Sequence, residues 1–89
     1  MAIPDTPPVA ILLRPEDNVA VAARHLPKGA KVSLNGRVVE LLDQVLLGHK
    51  IALQPIRKGE PIRKHGQVIG FASQDISPGG RVHVHNVAV

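Results

Sequence analysis

The residues of this sequence best suited by type and spacing to chemistry fall in two short stretches. One is GGRVHVHNV, where His83 and His85 are separated by a single valine; the other is LLGHKIAL, where His49 and Lys50 follow Gly48. On a strand, side chains alternate between faces, so a strand over residues 81–86 puts both imidazoles on one face and Val82 and Val84 in the core. Two neutral imidazoles so placed can reach one metal ion, handle a proton as a pair, or grip a carboxylate. The same spacing also fits the wet face of a strand whose valines are buried. Asn86 falls on the opposite face from His85 in a regular strand, so a bulge or strand end is needed for it to join them. Gly48 allows a sharp turn that aims His49 and Lys50 at a cleft, although a solvated corner explains them too. Lys50 could pair with a substrate carboxylate or lie along apolar surface.

The remaining polar residues give weaker signals. Arg63, Lys64 and His65 border a turn and read as a solvated basic edge, or as an attractor for an anionic substrate. Asp75 is placed to bond its own backbone before a glycine turn, and His25 to complement a helix end. No nucleophile constellation stands out: cysteine is absent, and Ser33, Ser73 and Ser77 lack an obvious base. Phosphate-binding glycine loops of the usual spacing are absent as well.

The elements that must position these residues come from a chain of 89 residues, enough for one small domain. Residues 1–89 are read as a single unit, with residues 1–8 a flexible leading segment. Phe71 is the lone aromatic residue, so the core must be built from Val, Ile, Leu and Ala. A net charge of +4 without stacking aromatics argues against a nucleic-acid interface and is compatible with an acidic small substrate or partner surface. The apolar run near residue 10 is too short for a membrane span or a signal core, which leaves the cytoplasm as the default location.

Along the chain, PVAILLR reads as a buried strand and residues 18–24 as a short helix capped by Asp17. Asn35-Gly36 between two β-prone runs signals a hairpin. Strands are expected over 51–54, 67–72 and 81–86, with a short strand before the His65-Gly66 turn. LPKGAKV, IRKGEPI and ISPGGRV repeat one corner, with Gly29, Gly59 and Gly79 in the same slot. Such corners feed the chain straight into strands and indicate a compact, convoluted, mainly β fold.

These corners resemble the recurring turn of SAF domains, which are small β-clip folds. More narrowly, EDNVAVAARHLPKG, LGHKIALQPIRKGEPIRKHGQVIG and SQDISPGGRVHVHN resemble the N-terminal domain of altronate and galactarate dehydratases. They are equally similar to the small subunit of sulfolactate sulfo-lyase, in the same family. The resemblance runs from about Asp17 to Val87; Lys64-His65-Gly66 departs from it where relatives often carry Lys-Tyr-Gly. It implies part of a lyase that dehydrates an altronate- or galactarate-type sugar acid to a 2-keto-3-deoxy product. Sulfite elimination from sulfolactate, or a non-catalytic docking module, are the alternatives. It implies site roles for His83, His85 and His49 as catalytic residues, with Lys50, Lys64 and Asn86 toward the substrate. A divalent metal, Fe or Mn, is implied in the assembled enzyme, with His83 and His85 its candidate ligands here and the isolated domain able to lack it. The partner implied is a large catalytic subunit or C-terminal dehydratase domain. Homo-oligomerisation is left open, and no membrane or nucleic-acid partner is expected.

Overall fold

A computed structural model describes residues 9–34 and 36–89 of the chain. Nine short strands follow in order: β1 (Ala10–Ile11), β2 (Val19–Ala22), β3 (Lys31–Leu34), β4 (Arg37–Glu40), β5 (Lys50–Ala52), β6 (Pro61–Lys64), β7 (Gln67–Ala72), β8 (Arg81–Val82) and β9 (Val87–Ala88). They form a four-stranded sheet in the order β1-β2-β5-β8, the hairpin β3-β4, and a three-stranded sheet β6-β7-β9. All pairings are antiparallel. No helix of the described residues is long and apolar enough to cross a membrane.

The architecture is mainly β, as the glycine corners imply, but the helix expected over 18–24 is absent. Residues 19–22 read Val-Ala-Val-Ala, an alternation that suits a strand buried on both faces, and tertiary pairing overrides the helical propensity of the alanines. Val19 joins one apolar cluster, while Ala20 and Ala22 join the other. The strand read from PVAILLR shrinks to Ala10–Ile11 at the sheet edge, where Ile11 and Leu13 are exposed. The 51–54 strand shifts to Lys50–Ala52. The hairpins at 31–40 and 61–72 stand as expected, while Asn35 and the leading segment 1–8 lie outside the described residues.

The glycine corner occurs four times, not three. Gly29, Gly48, Gly59 and Gly79 all have φ between 84° and 89°. Each closes a turn whose next residue donates its amide three residues back, as in Ala30 to Pro27 and His49 to Leu46. A positive φ at the third turn position is what glycine supplies without a Cβ penalty. The corners then pair two by two. In the first pair, Leu26 bridges Val45, Gly29 N donates to Leu41 O, and Gly48 N donates to Ala22 O. In the second, Ile56 bridges Ile76, Gly59 N donates to Ala72 O, and Gly79 N donates to Ala52 O. Each pair encloses its own apolar cluster: Leu26, Val32, Leu41, Val45 and Ile51 in one, Ile56, Ile62, Ala72, Ile76 and Val82 in the other.

The four-stranded sheet lies between these clusters, and a polar clamp joins its flank to the β6–β7 hairpin. Asp17, buried at 4% exposure, accepts the amides of Arg14 at 3.1 Å and His65 at 2.7 Å on Oδ2, and of Gly66 at 2.8 Å on Oδ1. His65 has φ 57° and Gly66 φ 75°, the paired left-handed geometry of a tight two-residue hairpin turn. Asn18 continues the clamp, donating Nδ2 to Pro61 O and accepting Arg63 N on Oδ1. The residue read as a helix cap is therefore the anchor of a hairpin 48 residues away in sequence.

Candidate functional site

Antiparallel pairing of β5 with β8 sets Lys50 opposite Val82 and Ile51 opposite Arg81. Continued one step past the ladder, that register sets His49 opposite His83. Directly opposed residues of an antiparallel pair have neighbouring Cβ atoms, so the two imidazoles meet. Their ring centroids are 4.1 Å apart and the planes differ by 14°. His49 is half-buried by the second corner, and its Nδ1 is shielded from solvent with no partner among the described residues. His83 thus pairs with a histidine 34 positions earlier rather than with its neighbour in the HVH motif.

The strand expected over 81–86 stops at Val82, and residues 83–86 form a turn. Asn86 causes this. Its Oδ1 accepts His83 N at 2.9 Å, its Nδ2 donates to Arg81 O at 2.8 Å, and its own amide donates to His83 O at 3.0 Å. The turn abolishes the alternation. Val84, expected in the core, is 81% exposed, and His85 is exposed on a separate polar depression beside Asp43, Asp75 and Arg81. Asn86, expected to meet substrate, is 4% exposed and holds backbone with both ends of its amide.

These positions bear on metal binding. A ring nitrogen binds a metal in the plane of its ring, at about 2.0–2.1 Å. In a near-parallel stack, an ion in the plane of one ring lies out of the plane of the other, so His49 and His83 do not chelate one ion as they stand. His83 and His85 no longer share a strand face. Among the described residues no group of three His, Cys, Asp or Glu side chains comes together around a common point.

Lys50 and His83 do meet, at a depression of ≈ 350 Å³ also lined by Ile69, Val84, Val87 and Val89. Burial, then the nearby Lys64 charge, lowers the Lys50 pKa from its ordinary value. Two ammonium groups held together repel, and an anion between them relieves that repulsion. Desolvation is the leading cause of a lowered His83 pKa, followed by the positive charge of His49, Lys50, Arg81 and His85. A lowered pKa keeps the imidazole neutral, with a lone pair free to accept a proton. The arrangement therefore sets the His83 imidazole beside the Lys50 ammonium on an otherwise apolar wall, with the Lys64 charge acting on Lys50.

Of the six residues singled out in the sequence, Lys50 and His83 line this depression, His49 stacks on His83, and Lys64 acts on Lys50 through its charge, whereas His85 and Asn86 line the separate polar depression. Sequence reasoning missed the fourth corner, LLGHKI, whose signal was Gly48 in the same slot as the other three glycines. It also missed the Asp17 and Asn18 clamp, for which an Asp-Asn pair just ahead of a strand gave no long-range signal.

The profile of the altronate/galactarate dehydratase SAF domain matches residues 8–89. The chain is 46% identical over 76 residues to an altronate dehydratase of Bacillus subtilis (strain 168), covering 85% of this chain and 15% of that protein. It is 47% identical over 70 residues to an altronate dehydratase of Escherichia coli (strain K12), covering 79% of this chain and 14% of that protein. It is also 40% identical over 48 residues to the (2R)-sulfolactate sulfo-lyase subunit alpha of Chromohalobacter salexigens, covering 54% of this chain and 51% of that subunit. The chain thus spans about one seventh of the dehydratases and half of the subunit. With its all-strand fold of paired glycine corners and a match over nearly its whole length, this chain belongs to the altronate/galactarate dehydratase SAF-domain family.

Proposed function

We propose that this domain is the site-completing part of a hydro-lyase that converts a sugar acid of the altronate or galactarate type to a 2-keto-3-deoxy product, and that it is inactive without a large catalytic subunit or domain. The observation that carries this reading is that His83, stacked on His49, lines one open depression together with Lys50, whose pKa is lowered by burial and by the nearby Lys64 charge. Dehydration removes the proton next to the carboxylate, expels the β-hydroxyl as water, and leaves an enol that tautomerises to the 2-keto acid. His83 accepts or returns a proton, and Lys50 with Lys64 attracts the carboxylate. His49 holds His83 in place. The lining Ile69, Val84, Val87 and Val89 offer no partners for a chain of hydroxyls, so contacts to the polyol come from the large partner. A divalent metal, Fe or Mn, would supply the electrophile that stabilises the developing charge in the assembled enzyme. With no cluster of three candidate ligands among the described residues, this reading assigns most of that ion's ligands to the large partner.

A second reading, the small subunit of a sulfolactate sulfo-lyase, is favoured by the 40% identity to a subunit alpha of which this chain covers half. It uses the same proton and carboxylate chemistry with sulfite as the leaving group. The test is to assay the chain alone, and then joined to a large dehydratase-type chain, on altronate, galactarate and sulfolactate. We expect turnover of a hexonate or hexarate by the joined protein only. Turnover by the isolated 89 residues refutes the shared site, and turnover of sulfolactate alone selects the second reading. Undiminished turnover by the large chain without this domain leaves a docking module.

A further inference from the structure

We infer that Asn86 is a positioning residue, which sets the His83 imidazole against His49 without itself facing the depression. The inference rests on the site reading above and goes beyond it in naming what holds the site together. Three bonds carry it. Oδ1 accepts the His83 amide, Nδ2 donates to the Arg81 carbonyl, and the Asn86 amide donates to the His83 carbonyl. Together they close residues 81–86 into a turn just where the β5–β8 ladder ends. Without that turn His83 would sit on a frayed strand end, free to leave the position opposite His49. Two further bonds fix the turn in space: the Asn86 carbonyl accepts Ser73 N at 3.0 Å, and Arg81 N donates to Asp43 Oδ2 at 3.0 Å. Asparagine is the residue this demands. The side chain must accept at one end and donate at the other in a buried place, and aspartate cannot donate to the Arg81 carbonyl.

The test compares wild-type, N86A and N86D chains by NMR at pH 8, and then the same variants joined to the large partner. In the isolated domain, nuclear Overhauser contacts between the His49 and His83 rings report the stack, and the His65 and Gly66 amides report the remote Asp17 clamp. We expect N86A to lose the inter-ring contacts while those amides keep their shifts. N86D keeps the acceptor for His83 N but loses the donor to Arg81 O, so it should lose part of the stack, though less than N86A does. In the joined enzyme, N86A should lower kcat about 100-fold with KM changed far less, the scale of a misplaced catalytic group. If N86A does not fold, the N86D comparison stands in its place. Inter-ring contacts that persist undiminished in folded N86A, or in N86D should N86A not fold, overturn the positioning role. A lost stack with undiminished kcat, in N86A and in H83A alike, overturns the site reading and the role with it. A persistent stack with turnover lost only in H83A overturns the role alone.

Discussion

Replacing Asp17 should loosen the hairpin that carries Lys64 while leaving the apolar clusters intact. Its carboxylate accepts three backbone amides, from Arg14, His65 and Gly66. A hydrogen bond to a charged group contributes about 1.5–3 kcal/mol net, but the hairpin tip is exposed, so its released amides can be rehydrated. Discounting for that leaves about 1 kcal/mol for each bond, or about 3 kcal/mol for D17A. A domain of 89 residues is expected to be stable by about 4–13 kcal/mol, so the loss is a large share of the total. D17N should recover at most half of it. Oδ1 and Oδ2 both accept, so whichever way the amide sits, an NH2 group faces a backbone N–H. Urea unfolding followed by far-UV circular dichroism measures this, with the D17A midpoint falling by about 1–3 M. In the NMR spectrum the largest shift changes should fall on the His65 and Gly66 amides. A D17A chain within about 0.5 kcal/mol of wild type would refute the clamp, because that is the range of an ordinary surface substitution.

Two further outcomes follow from the corners and the imidazoles. Gly48 and Gly79 share a slot and a positive φ, but a Cβ at Gly48 meets nothing within 4 Å whereas one at Gly79 would run into the Glu40 carbonyl oxygen. G48A should therefore cost about 1–2 kcal/mol from backbone strain alone, while G79A should add a clash with main chain and leave little folded protein in a thermal melt. Equal melting points would contradict the close approach. The lowered His83 pKa means that the unfolded chain binds a proton there more readily than the folded one. That contribution to stability is fully present above about pH 6.5 and is lost as pH falls through the folded-state value. Urea midpoints compared between pH 8 and pH 5 should fall less in H83Q than in wild type, and identical slopes would remove His83 from the account.

How much of this was legible in the sequence depended on whether the signal was local. The glycine corners, the Asn35-Gly36 hairpin and the His65-Gly66 turn depend on a few adjacent residues and were readable. Residues 19–22 were not, because Val-Ala-Val-Ala becomes a strand through pairing with β1 and β5 on either side. The HVHN motif misled for a related reason. Strand alternation predicts His83 and His85 on one face, but the short Asn86 side chain competes with the ladder for backbone partners and ends it at Val82. The His49–His83 pair follows at once from the β5–β8 register, yet nothing near either residue specifies that register. His49 and Lys50 were readable as candidates from the glycine before them, and the fourth corner carried the same glycine signal but was missed because leucines stand where the other corners have turn-forming residues.

The most direct test of the account compares kcat and KM of the joined protein for the sugar acid of the proposed reaction in wild-type, H83A and K50M forms. The account predicts that H83A lowers kcat by about 10²–10⁴-fold, the range of general acid–base catalysis, while K50M mainly raises KM. Wild-type kcat and KM in both variants, with the domain still bound to its partner, would contradict it.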